Sequence, residues 1–376
     1  MKVPFNRPYT TGREAENIKQ AITNKHLSGD GPFTVECERW LKDWFDAPAV
    51  LLTHSGTAAL ELAALLANIG PGDEVIMPSF TFVSTANAFA LRGAVPVFAD
   101  IDPETFNLCP EAAARAITPQ TRAIVPVHYA GVACNMASLN ALASAHDLCL
   151  IEDAAHCLGA TLDGRELGSI GAMGALSFHE TKNIICGEGG ALVVNDASLV
   201  ERAQNIRQKG TNRRQFLERK TDKYTWVDIG SSFLPSDITA AFLAAQLEEV
   251  QSITDKRLAI WRAYHERLAP LESRLGLRRP VLPENCRHNA HIYHILLPAH
   301  ASREHVLHRL QNAGVYAIFH YVPLHSSPAG LRFGRCSEAM NVTDDIAARI
   351  VRLPLWVGMT EDMIEFVVDR LAEALA

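Results

Sequence analysis

Positive charge is in short supply. Lysine and arginine total 35 against 42 aspartates and glutamates, giving a formal net charge of −7 and a pI near 6.1. A nucleic-acid binder needs a basic face, so no nucleic-acid partner is expected. A phosphate-bearing ligand would have to be held by local donors, because the global field is of the wrong sign. No run approaches the ~18 apolar residues that span a bilayer, so no membrane partner is expected either. The opening MKVPFNRPYTTGRE carries a proline at position 4 and early charges where a secretory signal would have an apolar core. The eight cysteines form no C-x-x-C pair and are scattered through apolar segments. That pattern fits reduced thiols and a cytoplasmic protein better than a disulfide framework or a zinc site. Cys186, four residues after Lys182, reads as a small apolar filler. There is no G-x-x-x-x-G-K-[ST] phosphate loop, no G-x-G-x-x-G at a strand-to-helix turn and no G-x-S-x-G elbow. His288, His291 and His294 are spaced by three, but HNAHIYHILL reads as a strand. Such a spacing sends neighbours to opposite faces, so no metal is expected.

What is present is an ordinary globular composition, 48% apolar and 20% charged over 376 residues. That length predicts two domains. We place them at residues 1–250, a large domain with an N-terminal arm, and 251–376, a smaller one. From residue 49 strands and helices alternate. Strands are expected at Ala49–Leu52, Glu74–Met77, Val95–Ala99, Ala123–Val127, Cys149–Glu152, Ala175–Phe178 and Ala191–Val194, with apolar helical segments between most of them. The pattern implies an α/β fold with a mostly parallel sheet covered on both faces. Residues 195–250 read as mostly helical, broken by the polar segment Lys209–Trp226. Beyond Pro280 the reading is strand His291–Leu297, helix Arg303–Asn312, strand Val315–Phe319 and helix Glu361–Leu375.

Three pieces carry chemistry. Ser55-Gly56-Thr57 lies between a strand and a helix, where free N–H groups and two hydroxyls can cradle a phosphate. Ser and Thr there are also ordinary helix N-caps. Asp153 ends an apolar strand, where a carboxylate is costly without a cation such as a pyridinium nitrogen; capping the next helix is the alternative. Lys182 lies on a turn between two core strands, with Ser177 on the strand before it. Partial burial lowers a lysine pKa and suits the amine to bonding a carbonyl. Cradle, acid and lysine in that order, on successive strand ends, are the protein parts that pyridoxal phosphate (PLP) requires.

With these residues in view the chain resembles the DegT/DnrJ/EryC1/StrS family of sugar aminotransferases. The likeness covers GDEVIMPSFTFVSTANAFALRGAVPVFADID, AIVPVHYAGVACNM, IEDAAHCLGA, LSFHETKNIICGEGGALVVND and RLPLW. FHETKN, KGTNR, DKYTW, DIGSSFL and FHYVPLH resemble the branch that aminates a dTDP-linked 4-keto-6-deoxysugar to the 4-amino-4,6-dideoxygalactose product. The resemblance implies an aspartate-aminotransferase-like fold (PLP fold type I), a homodimer with active sites at the subunit interface, and two substrates, a nucleotide sugar and L-glutamate. It implies Lys182 as the cofactor-bonding lysine and Asp153 as partner of the ring nitrogen. It also implies His156 near the ring, Phe82 stacked on it, and Gly56, Thr57 and Ser177, with Ser55, around the phosphate. Ser232 stands where many members have an asparagine that reaches the neighbouring subunit's phosphate. Lys209, Arg213 and Arg214 are candidates for the substrate diphosphate, though a solvated charge run reads as well. His320, Tyr321 and His325 belong to a segment that the resemblance sets near the sugar.

Overall fold

The computed structural model describes residues 1–376. Its main sheet contains β1 (Ala49–Thr53), β2 (Glu74–Pro78), β3 (Val95–Ala99), β4 (Thr121–Ile124), β5 (Cys149–Asp153), β6 (Met173–Ser177) and β7 (Gly190–Val194). Two further strands, β8 (Tyr293–Leu296) and β10 (Ile350–Leu353), pair with each other, and the short β9 (Arg335–Cys336) extends the main sheet beside β3. The order across the main sheet is β1-β7-β6-β5-β4-β2-β3-β9. All neighbours from β6 to β9 are parallel, and β7 runs antiparallel to both β6 and β1.

Most of these strands are largely apolar because both faces are covered. Every residue of β1 and of β7 is buried. Helices Gly56–Leu66, Val83–Ala90 and Val200–Arg207 pack one face through a 29-residue apolar cluster. Helices Pro32–Phe45 and Asp237–Leu247 pack the other through a cluster of 27. A third cluster, of 25 residues, gathers the helix Val250–Leu275, the β8/β10 pair and the last helix, Glu361–Leu375.

The chain's first residues join this third cluster. Val3 is fully buried in it, donates to Gly314 O at 2.8 Å and accepts from Tyr316 N at 3.0 Å. Trp356 Nε1 donates to Pro4 O at 3.0 Å, and the Arg7 guanidinium lies 4.5 Å above the Trp356 ring.

The expected elements stand, with boundary shifts of a few residues, except one. Val315–Phe319 is not a regular strand. It touches Val3 and Arg352 only through single bridges at Val315 and Ile318, because the segment passes between two partners and ladders with neither. Strand β10 and the helix Asn341–Arg349 were not expected. The long polar segment folds a short helix, Arg213–Leu217.

Candidate active site

The strand ends of the main sheet share one edge, and register brings the pieces together. Gly190 opens β7 and sits abreast of Thr53 on one side and Ser177 on the other. Gly56 starts its helix directly against Ser177. A Cβ on Gly56 would lie 2.9 Å from Ser177 Cβ, and one on Gly190 would lie 2.4 Å from the Ser55 carbonyl carbon, so only glycine permits this approach. Ser55 caps the helix by accepting from Ala58 N at 3.0 Å, which leaves its O–H free to donate. The first-turn N–H groups of Gly56 and Thr57 have no acceptor in the chain. Thr57 Oγ1 meets Ser84 Oγ at 2.7 Å, tying this helix to Val83–Ala90. The cap and the cradle, alternatives in the sequence, coexist here.

Asp153 closes β5 and is buried. Thr85 Oγ1 donates to its Oδ2 at 2.7 Å and Ala155 N to its Oδ1 at 3.2 Å, while Thr81 meets Thr85 at 2.8 Å. Burial raises the Asp153 pKa, opposed by these hydrogen bonds and by the Lys182 charge. A carboxylate so enclosed is best stabilised by a cation brought beside it. Lys182 is half-buried on the β6–β7 loop. Burial brings its pKa down from 10.5 to about 8, against the pull of Asp153 and with the Arg352 charge acting in the same direction as burial. The loop is fixed by Lys182 N to His179 O at 2.8 Å, Cys186 N to Phe178 O at 2.8 Å and Glu180 N to Gly187 O at 2.9 Å.

His156 is buried and neutral, its pKa held well down by burial and by the Lys182 charge. Its Nδ1 accepts from Ala130 N at 3.3 Å, so the ring proton resides on Nε2. His291 lies against it with ring centroids 4.3 Å apart. His291 Nδ1 meets Asn183 Oδ1 at 3.0 Å, and Asn183 Nδ2 donates to Asn289 O at 2.8 Å. Thus the residue after Lys182 is tied to the segment before β8. The three spaced histidines diverge: His288 lies on Trp261, His291 faces His156, and His294 faces Phe106 and Tyr129.

The second group is built around Tyr129. His320 Nδ1 meets the Tyr129 hydroxyl at 3.3 Å, and Arg352 Nη1 donates to His320 Nε2 at 2.7 Å. Tyr321 stacks on His320 at 3.7 Å and packs edge-on against Phe80 and Tyr129. Tyr129 in turn reaches His156, with centroids 6.2 Å apart. His325 points elsewhere, to Ser79 Oγ at 2.7 Å and towards Asp344. Phe82 precedes the helix that carries Thr85 and is 59% exposed.

Lys209, Arg213 and Ser232 line a separate cavity of about 350 Å³ with Tyr224, Ser28 and Gly29. Arg214 is not with them: it pairs with Glu218 at 3.0 Å and lines a groove beside Val35 and Leu217. Sequence reading passed over Thr85, Ser84, Tyr129, Asn183 and Arg352, and weighed His291 only as a metal ligand. For Arg352 a signal was available, a lone charge inside the apolar run IVRLPLW.

A PLP phosphate fits the cradle at Gly56, whose space a side chain would fill, and its ring nitrogen fits the buried Asp153 carboxylate. The comparisons agree with that chemistry. GDP-perosamine synthase of Caulobacter vibrioides is 32% identical over 378 residues, covering 100% of this chain and 98% of its own. The structure of Streptomyces venezuelae DesV in complex with a ketimine intermediate superposes with TM-score 0.90 at 29% identity, over 100% of this chain and 98% of that one. The PLP form of the putative sugar aminotransferase Spr1654 of Streptococcus pneumoniae gives TM-score 0.90 at 25% identity, over 100% and 99%. The DegT/DnrJ/EryC1/StrS aminotransferase family matches residues 8–372, and no helix is long and apolar enough to cross a membrane. This chain belongs to that family and is a PLP-dependent sugar aminotransferase.

Proposed function

We propose that the protein transfers the amino group of L-glutamate to C4 of a dTDP-linked 4-keto-6-deoxy-D-glucose, giving dTDP-4-amino-4,6-dideoxy-D-galactose. The observation that carries the chemistry is Lys182, a half-buried amine with a pKa brought down to about 8, on the same sheet edge as the buried Asp153 carboxylate and the Gly56 cradle. When bound, PLP supplies a carbonyl that carries the amino group between substrates and a ring that delocalises the electrons of a deprotonated carbon. Lys182 holds the cofactor covalently at rest. Its amine, once free, would take the α-proton of the donor as a base and return it as an acid to the carbon two bonds away, across the nitrogen being transferred. Asp153 keeps the ring nitrogen protonated, with Thr85 fixing the carboxylate plane through its hydrogen bond to Oδ2. Gly56 and Thr57 N–H groups, with Ser55 and Ser177 hydroxyls, hold the phosphate. Phe82 covers one ring face and His156 lies beside the ring.

The nucleotide sugar brings a diphosphate, and Lys209 with Arg213, which share one cavity with Ser232, support a role in holding it. His320 and Tyr321 face the sugar ring, and His325 fixes their segment through Ser79. We further propose a homodimer that brings the Ser232 segment of one subunit to the phosphate site of the other. Its support is an exposed apolar stretch, Tyr224, Trp226, Val227 and Ile229, with Trp226 75% exposed in the single chain. The similarity to a GDP-perosamine synthase favours a GDP-linked sugar as the second reading.

The test is incubation of PLP-loaded protein with glutamate and a panel of 3-keto and 4-keto sugars linked to dTDP and to GDP, with NMR of the product. A 4-amino-galacto product from the dTDP substrate is expected. Amination at C3, the opposite C4 configuration or a preference for GDP would replace this assignment.

A further inference from the structure

A second cavity, of about 420 Å³, lies away from the catalytic edge of the sheet. Its wall includes Ala49, Val50 and Leu51, the opening residues of β1, whereas the catalytic edge is at Thr53. Ala49 is about 13 Å back along the strand from Thr53. The cavity shares only Gln208 with the one lined by Lys209, Arg213 and Ser232.

Two buried polar atoms of this wall have no partner. Arg207 is 1% exposed; its Nη1 and Nη2 are taken by Glu38 and Asp30, and its Nε is bonded to nothing. Gln208, 5% exposed, spends Nε2 on Asp30 and leaves Oε1 unbonded. Neighbours in the chain thus offer one unused N–H and one unused lone pair, and native interiors rarely leave such groups unmade.

The charges of the wall are uneven as well. Its acids are already paired, Asp30 and Glu38 with Arg207, and Glu218 with Arg214 at 3.0 Å and Lys220 at 2.7 Å. Arg39 and Lys42 are exposed, lie one turn apart on the helix Pro32–Phe45, and have neither an ion pair nor a side-chain hydrogen bond. The remaining wall is largely apolar, with Val50 and Leu51 buried and Val35 and Leu217 open to solvent.

We propose that this cavity binds a nucleoside monophosphate, as a nucleotide site separate from the catalytic one. A nucleobase has two flat apolar faces and an edge on which an acceptor and a donor sit side by side. That edge complements Arg207 Nε and Gln208 Oε1, and the faces suit the apolar wall. The phosphate supplies the negative charge that Arg39 and Lys42 lack. A volume of about 420 Å³ is within the range of small-molecule sites. A bare phosphate would leave the buried pair unmade, and an uncharged ligand would leave the two cations unused, so both halves are required.

The experiment titrates PLP-loaded protein with dTMP by calorimetry. It compares wild type, the double variant Arg39→Ser/Lys42→Ser, Val35→Trp and Arg213→Ser. Gln208 is left intact because it serves both cavities. Wild type is expected to take up two dTMP per chain. The double variant should weaken one of the two by at least about tenfold, and Val35→Trp, which fills the opening, should remove the same one. Both variants should keep wild-type turnover, which also reports that they fold. Arg213→Ser should weaken the other dTMP only. Thymidine and inorganic phosphate, offered separately, should each bind the new site at least about tenfold more weakly than dTMP. The proposal is overturned if no dTMP binding responds to the Arg39/Lys42 and Val35 changes, or if phosphate or thymidine alone binds there as tightly. One dTMP per chain, lost in the double variant and kept in Arg213→Ser, would keep this site and remove the diphosphate role of the Lys209 cavity.

Discussion

At Asp153 one side chain gathers several constraints. Its carboxylate is buried, takes a hydrogen bond from Thr85 and feels the charge of Lys182. Asp153→Asn should keep the cofactor's visible absorption yet lose at least about a hundredfold in turnover, because an amide cannot hold a ring proton. Near-normal turnover would remove Asp153 from the mechanism. Lys182→Ala should abolish the visible band of the lysine-bound cofactor altogether. Lys182 also makes a prediction about pH. Its folded pKa, about 8, lies below the ordinary 10.5, so the unfolded chain binds more protons between those values. Without cofactor, wild type should therefore gain stability relative to Lys182→Met as pH rises from about 8 to about 10.5, with no relative gain below that window. Urea midpoints across that range check the sign.

Lys182, Asp153 and Ser55-Gly56-Thr57 were legible because their chemistry is unusual at strand ends. Thr85 was not, since a threonine in a helix looks like any other until its hydroxyl meets a carboxylate 68 positions away. Arg352 and His320 form their contact only when the β8/β10 pair docks, a placement that periodicity does not encode.

At the level of elements, the helix Gly56–Leu66 must begin flush against β6. Gly56→Ala would set a methyl 2.9 Å from Ser177 Cβ. We expect PLP affinity to fall by about tenfold and stability by about 1–3 kcal/mol, read by cofactor titration and thermal melting. The loop after residue 167 depends on a different buried carboxylate. Glu152 accepts from Gly168 N at 2.8 Å, Ile170 N at 2.7 Å, Gly171 N at 2.6 Å and His128 Nε2 at 2.9 Å. Removing it in Glu152→Ala strands those donors and should cost about 3 kcal/mol in urea denaturation. Element types were readable because β1 to β7 are short, largely apolar runs bounded by turns, whereas the two-residue β9 offers no such run. Val315–Phe319 misled because its alternation comes from packing against the third cluster, without a ladder.

For the whole molecule, the exposed Trp226 stretch and the Ser232 cavity belong to the proposed dimer. Sedimentation should give a mass near twice the 41.2 kDa of the chain, and Trp226→Asp should shift it towards the single-chain value. A monomeric wild type with full activity would refute the cross-subunit site. We also propose residues 1–250 and 251–376 as separate domains, supported by the third cluster, which apart from Val3 lies wholly within residues 258–374.

That cluster is closed by the chain's opposite ends. Val3, Pro4 and Arg7 pack on Gly314, Tyr316 and Trp356, and Phe5 lies under Arg352. During synthesis the seven strands β1 to β7 are complete by residue 194, long before these partners exist. The first segment must wait, unsatisfied, while the main sheet assembles around the middle of the chain. Capture of that waiting arm is then a late step, and the floor beneath Arg352 is laid only when the last hundred residues have emerged.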